Sequence, residues 1–187
     1  MADVVKLIMD DHRTMEGLFE KLRSGEGDRQ ALLEECAARL TAHSRAEEER
    51  VYPVITEKNP SESGEVHHGY QEHQEADELL HRLQGTDPQG PEFDRALAEL
   101  VDAVKHHIEE EESKILPALA EAVSRNELEE LGRAFMERRK EELRAHKIDD
   151  DVSRAELYKQ AQEAGIAGRS QMSKEELARE LRSSSTG

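Results

Sequence analysis

The chain has 187 residues, 37% charged and 3% aromatic, with no tryptophan and a formal net charge of −17. That length holds one ordinary domain plus an appendage, and the composition belongs to helical rather than β proteins. The acidic balance argues against gripping nucleic acid or an anionic membrane through bulk electrostatics.

Cys36 is the only cysteine, which excludes an intramolecular disulfide and a thiolate zinc site. Its place on an apolar stripe reads as a buried, inert thiol. No apolar run approaches membrane-spanning length and the N-terminus lacks a signal-peptide pattern, so the expected compartment is the cytoplasm.

In chain order, the first predicted helix runs from about Asp3 to Arg23, with Val5, Ile8, His12, Met15, Phe19 and Leu22 on one stripe. Ser24-Gly-Glu-Gly27 breaks it. A second helix starts near Asp28 as N-cap, with the stripe Leu33, Cys36, Leu40, His43, Glu47, Val51 and Val54. Pro53 removes a backbone bond and crowds residue 49, so a kink or thinning is expected there. After the loop Asn59–Gly64, a third helix from about Glu65 to Leu83 carries His73, Ala76, Leu80 and Leu83 on one face. Turn residues over Gln84–Pro91 close it. The fourth helix, from Pro91 or Glu92, has the stripe Leu97, Leu100, Val104, His107, Glu111, Ile115 and Leu119.

These helices form two repeated hairpins. His12 and His73 align at an offset of 61, and His43 and His107 at 64. The second copy of the motif, His107-Ile-Glu-Glu-Glu-Glu-Ser-Lys-Ile-Leu-Pro117, rewrites His43-Ser-Arg-Ala-Glu-Glu-Glu-Arg-Val-Tyr-Pro53. The fold class expected is all-α, an up-down-up-down four-helix bundle. A fifth amphipathic helix, Asn126 to about His146, with Leu128, Leu131, Phe135 and Leu143, is expected on the outside of the bundle. Residues 1–146 form the first domain. Asp149-Asp-Asp151 marks a boundary, and 151–183 form a small helix-loop-helix module. Ser153-Arg-Ala-Glu156 and Ser173-Lys-Glu-Glu176 read as capping boxes around a loop with Gly165 and Gly168, and Ser183–Gly187 as disorder.

Of nine histidines, four lie on apolar stripes, one per helix: His12, His43, His73 and His107. A lone core histidine is usually a satisfied polar residue. Four at equal depth in a repeat reverse that reading, because burying them without a shared purpose costs several kcal/mol in desolvation. Glu47 and Glu111 follow a histidine by four residues, on the same helix face. Glu16 and Asp77 fall at the edge of the core and are expected to orient imidazoles through hydrogen bonds. His106 lies off the stripe; His67, His68, His81 and His146 read as surface residues. Four imidazoles and two carboxylates suit two metal ions, two histidines on each and both carboxylates bridging, with coordination positions left for small molecules. The donors favour iron, manganese or zinc over copper(I) or calcium. Tyr52 has two readings: an aromatic packed on the bundle rim, or an additional phenolate ligand.

His12, His43-x-x-x-Glu47, His73 and His107-x-x-x-Glu111, with two Glu-Glu-x-x-x-(Tyr/Leu)-Pro segments, resemble the hemerythrin-like, or HHE cation-binding, family over roughly residues 1–145. The resemblance implies a four-helix bundle around two iron ions, a non-haem, oxo- or hydroxo-bridged di-iron centre. Oxygen carriers of the family have a further histidine four residues beyond the one matching His73, where this chain has Asp77. The departure argues against reversible oxygen carriage and for redox turnover of peroxide. The expected function is reaction with H2O2, O2 or NO in oxidative or nitrosative stress defence, with catalase-like peroxide disproportionation as the activity. The alternative is a non-enzymatic O2, NO or iron sensor that signals through the C-terminal module.

That module resembles the SAP-like helix-loop-helix at the N-terminus of transcription terminator Rho, through Leu157, Ala161, Gly165-Ile166, Gly168, Ser170, Met172, Lys174, Glu176-Leu177 and Leu181. The likeness implies nucleic-acid contact. Residues 151–187, however, carry six acidic and six basic side chains, so a protein partner fits as well.

Overall fold

A computed structural model describes residues 3–25, 27–148 and 154–184, and all regular structure among them is helical. Helix α1 (Val4–Ser24) starts at Asp3, whose carboxylate accepts the Lys6 amide, and ends at Gly25 in the left-handed region. Helix α2 (Arg29–Ala46) is capped by Asp28, whose carboxylate accepts the Gln30 and Ala31 amides. Its partner hairpin is α4 (Ser63–Gln84) and α5 (Pro91–Glu110). The stripes meet in a core that includes Phe19, Leu22, Leu33, Cys36, Leu83, Phe93, Leu97 and Leu100. Burial pushes the Cys36 thiol up to about 12, so it is the inert core residue its stripe implies.

Pro53 and Pro117 act otherwise than as simple kinks. The chain passes from α2 through a π-turn, Glu47–Val51, into α3 (Tyr52–Lys58), and from α5 through a second π-turn, Glu111–Ile115, into α6 (Leu116–Ala122). In both, the residue before the proline donates its amide five residues back, Tyr52 to Glu47 and Leu116 to Glu111. Proline has no amide to offer its i−4 carbonyl and its ring clashes there; a turn widened by one residue removes the clash. The extra residue also rotates the next helical segment about its axis. Tyr52 and Ile55 become fully buried, while Val54, expected in the core, is only partly so.

Helix α7 (Arg125–Ala145) opens with a capping box between Ser124 and Glu127. It is not a peripheral addition: it lies along α1 and α2 and buries Phe135, Arg139 and Leu143 against them. The C-terminal segment holds α8 (Arg154–Glu163) and α9 (Lys174–Ser184), which close on Leu157, Ala161 and Leu177. Gly165 and Gly168 both have positive φ, the conformation the turn between them needs. The Ser173–Glu176 capping box forms, with Glu176 Oε2 accepting the Ser173 amide at 2.6 Å. The Ser153 box and the Asp149–Asp151 boundary lie outside the described residues. Ser183 and Ser184 are helical rather than disordered.

The tail docks on its own bundle. Glu35 on α2, 1% exposed, accepts Arg39 Nε at 2.9 Å from its own helix and Arg179 Nε at 3.0 Å from α9, with Arg182 at 3.4 Å. Lys21 adds an ion pair to Glu176 at 3.1 Å. Removing the carboxylate from a buried charge cluster is costly to the cations it holds, and here Arg179, with its side chain 8% exposed, regains water by leaving the bundle. Glu35→Ala should therefore release the tail. Limited proteolysis of the full chain is expected to cleave within residues 154–184 about tenfold faster for each ~1.4 kcal/mol of docking lost. Unchanged cleavage would mean that the cluster does not hold the tail.

Candidate metal centre

His12, His43, His73 and His107 converge in the middle of the bundle, each between 0% and 6% exposed, with Glu47 and Glu111 fully buried between them. His12 and His43 stand at one end, ring centroids 4.9 Å apart; His73 and His107 stand at the other, 4.6 Å apart. Glu47 Oε2 lies between the two pairs, 3.3 Å from His43 Nε2 and 3.4 Å from His73 Nε2. Glu111 Oε2 does the same in mirror fashion, 3.1 Å from His12 Nε2 and 3.9 Å from His107 Nε2. Two donor groups result: His12, His43, Glu47 and Glu111, and His73 and His107 with Glu47. The sequence repeat has become an approximate two-fold arrangement in space.

The outer ring nitrogens are held by carboxylates. His12 Nδ1–H donates to Glu112 at 2.8 Å, His73 Nδ1–H to Glu48 at 3.1 Å, and His107 Nδ1–H to Glu72 at 2.9 Å. His43 Nδ1 faces Asp11 at 3.6 Å, and Asp11 accepts Arg139 Nε of α7 at 2.6 Å. Ionised carboxylates only accept, so each hydrogen bond puts the proton on Nδ1 and leaves an Nε2 lone pair facing inward. This overturns the expectation for Glu16 and Asp77. Glu16 pairs with Arg13, and Asp77, its side chain 60% exposed, faces the surface ring of His81. The i+4 rule looks for partners along one helix, whereas these partners come from neighbouring helices. The missed signal was adjacency: Asp11 and Glu72 immediately precede His12 and His73, and Glu48 and Glu112 immediately follow Glu47 and Glu111.

The inward atoms are unpartnered. His12 Nε2, His43 Nε2, both oxygens of Glu47 and both of Glu111 are buried with no hydrogen-bond partner among the described residues. His73 Nε2 and His107 Nε2 approach to 3.2 Å. With Nδ1 protonated on both rings, that contact sets lone pair against lone pair. Buried polar atoms without partners cost about 1–3 kcal/mol each, and this many in one place is what cations held between them would relieve. The donor set fits two ions of the iron, manganese or zinc class.

Protonation reflects the same crowding. Burial works to lower His12, but Glu111, Glu47 and Glu112 outweigh it and raise it to about 9. Burial lowers His43 to about 4. Glu47 is pushed well above the carboxylate range by burial and by the charge of Glu111; Glu111, despite burial, is held down to about 2 by His12 and His107.

Tyr52 stands inside the bundle, 0% exposed, and not on its rim. Its ring stacks on His73 at 5.6 Å and meets Tyr70 edge-on at 5.1 Å, and its hydroxyl has no hydrogen-bond partner among the described residues. Burial, then the charges of Glu111 and Glu47, push the phenol well above its ordinary range. Gly69 makes room for it: a Cβ there would lie 2.8 Å from the hydroxyl and 3.2 Å from Cζ. The π-turn brings Tyr52 here, because five residues beyond Glu47 is the same face in that turn. The two ends of the centre differ in cover. Phe135 of α7 packs edge-on to His43 at 6.1 Å, whereas His73 lines a surface cleft of about 350 Å³ with Ser44, Glu48, Tyr70 and Asp77.

A helical bundle with carboxylate-supported imidazoles around two shared glutamates defines a cation-binding protein of the all-α class. The hemerythrin HHE cation-binding domain model matches residues 3–119, and the chain belongs to that family. It is 29% identical over 150 residues to an uncharacterised hemerythrin-like protein of Schizosaccharomyces pombe, covering 78% of this chain and 73% of that one. It is 30% identical over 138 residues to a DNA nickase of Nostoc sp., covering 72% of this chain but spanning only 38% of that protein's length. A crystal structure of a hemerythrin HHE cation-binding domain-containing protein from Mycobacterium kansasii, an Rv2633c homologue, shares the fold with a TM-score of 0.67 at 20% identity, covering 97% of this chain and 99% of that one. No helix among the described residues is long and apolar enough to cross a membrane.

This geometry leads to two expected outcomes. Metal entry must displace the second proton of His12, so binding at pH 7.5 should release at least one proton per chain, and affinity should rise with pH up to about 9 and fall toward acid. Calorimetry in buffers of different ionisation enthalpy measures this; zero proton release would contradict it. Gly69→Ala should destabilise the chain, the overpacking cost of about 1–3 kcal/mol exceeding the helix gain of about 0.5–1 kcal/mol. In a Tyr52→Phe background, where the closest contact is gone, the same change should be neutral or stabilising in thermal denaturation.

Proposed function

We propose that the six converging residues hold two iron ions and that the protein decomposes hydrogen peroxide, 2 H2O2 giving 2 H2O and O2. The observation that supports this most is the set of buried, inward-facing donors without hydrogen-bond partners among the described residues, beside a surface cleft that His73 lines. Bound iron supplies the redox and Lewis-acid chemistry. His12 and His43 with Glu47 and Glu111 are the ligands at the covered end; His73 and His107 with the same two glutamates are those at the open end. Glu112, Glu48 and Glu72 keep the rings of His12, His73 and His107 in the tautomer that presents Nε2, and Asp11 faces His43 Nδ1 at 3.6 Å. Met15, Leu40, Ala76 and Val104 line the small cavity beside His43, His73 and His107 and keep it apolar. The cleft past Tyr70 and Ser44 is the path for a molecule the size of peroxide, oxygen or nitric oxide. Tyr52 offers a neutral hydroxyl beside His73, as a hydrogen-bond donor toward the centre or as a further ligand. Asp77, which stands where the oxygen carriers have a further histidine, pairs with His81 at the surface, and that supports reading the site for turnover.

A second reading has a structural footing. Glu35, which anchors the tail, lies two turns before His43 on α2, so a change at the centre can be passed along that helix to the tail, as a sensor of oxygen, nitric oxide or iron requires. Contact of the tail with nucleic acid or another protein belongs to this reading.

The test is metal content and oxygen evolution. Iron-loaded protein should carry two irons per chain at the buried centre and evolve oxygen from peroxide well above free iron, and His107→Ala should fall to the free-iron rate. A visible absorption band lost in Tyr52→Phe would make that phenol a ligand. Fully loaded protein with no oxygen evolution, but with a ligand-dependent change in tail proteolysis, would replace the enzyme by the sensor.

A further inference from the structure

Four more donors meet outside the buried centre. His68 and Glu72 stand one turn apart on α4, and His106 and Glu110 one turn apart on α5. Within α4 His68 Nε2 is 3.6 Å from Glu72 Oε1, and across the seam it is 3.5 Å from Glu110 Oε2, with His106 Nε2 3.9 Å from Glu72 Oε1. One donor atom of each residue lies within 4.8 Å of all the others. These separations are long for hydrogen bonds, and they are close to those of atoms sharing one ion at about 2.0–2.2 Å.

An independent feature points the same way. The Glu72 side chain is only 9% exposed. Its Oε2 accepts the His107 Nδ1 proton at 2.9 Å, and its Oε1 is buried with no hydrogen-bond partner among the described residues, on the side of His68 and His106. A buried carboxylate oxygen left unpaired is costly, and none of the four residues relieves it by a hydrogen bond. Glu110 uses its other oxygen, Oε1, for Lys114 at 2.9 Å, which leaves Oε2 facing His68.

We propose that His68, Glu72, His106 and Glu110 form a separate, solvent-facing site for one divalent transition-metal ion, joined through the Glu72 carboxylate to His107 of the buried centre. Two imidazoles and two carboxylates select zinc, iron(II), cobalt(II) or manganese(II) over magnesium and calcium, which take all-oxygen sites. The side chains of His68 and His106 are 49% and 64% exposed, so an ion reaches them from solvent without any opening of the bundle. The net charge of −17 raises the local cation concentration. The site lies at the His73/His107 end, away from Phe135 and Arg139.

The experiment adds Zn2+ to metal-free full-length chain, with stoichiometry from equilibrium dialysis and the histidine ring nitrogens followed by NMR. Wild type should bind one more ion per chain than the His68→Ala/His106→Ala double variant, whose exposed substitutions leave the circular dichroism unchanged. The His68 and His106 ring signals should shift with that ion and persist in millimolar Mg2+. Equal stoichiometry in the two proteins, or displacement by Mg2+, overturns the site. A His43→Ala chain separates this from the buried centre: the ion that depends on His68 and His106 should remain there when inner binding is impaired, and its loss would also overturn the proposal as a separate site.

Discussion

The structure depends on burying polar atoms that the protein itself leaves unpaired. Four imidazoles and two carboxylates occupy the positions where a helical bundle would otherwise place leucine and valine, and the inward atoms of His12, His43, Glu47 and Glu111 have no hydrogen-bond partner among the described residues. Desolvation of that size is tolerated only if the surrounding core is strong and something else relieves the donors. The apolar layers on either side supply the first, around Phe19, Leu22 and Phe93 at one end and Ile8, Ile55 and Leu119 at the other. Cation binding, the character of the family, is what would supply the second.

The two prolines bear on the centre from a distance. Each forces a π-turn that begins at a central glutamate, so the helix changes its face at the point where the carboxylates lie. The two turns are equivalent in backbone but not in side chain. Tyr52 follows Glu47 and stacks on His73, whereas Leu116 follows Glu111 and packs in the apolar layer. Helix α7 adds a second asymmetry by placing Phe135 against His43 and Arg139 against Asp11. An internally repeated bundle thereby gains two unlike ends, one with Phe135 against His43 and one where His73 lines a surface cleft. The tail, docked through Glu35, loads the α2 helix from the opposite end of its length.

Carboxylates one residue away from the central histidines and glutamates hold ring nitrogens across helix boundaries. His12, Glu47, His73 and Glu111 therefore each carry, beside them in the chain, a carboxylate that supports a ring on a different helix. That cross-bracing couples the positions of α1, α2, α4 and α5, and it explains why adjacent acidic pairs occur in both repeats.

What the sequence determined by itself was whatever periodicity and repetition encode. Four apolar stripes, each interrupted by one histidine, place His12, His43, His73 and His107 at one depth, and the doubled His-x-x-x-Glu motif places Glu47 and Glu111 with them; caps at Asp28 and Ser173 were equally local. Only the tertiary structure decided which carboxylate serves which ring, because Glu112 and His12, or Glu72 and His107, meet across helices that the 3.6-residue period cannot relate. It also decided that Tyr52 turns inward, since a π-turn adds one residue to the period and moves the following side chains to another face. The covering role of α7 and the docking of the tail on Glu35 depend on how separate helices pack, and packing between elements leaves no trace in the spacing within any one of them.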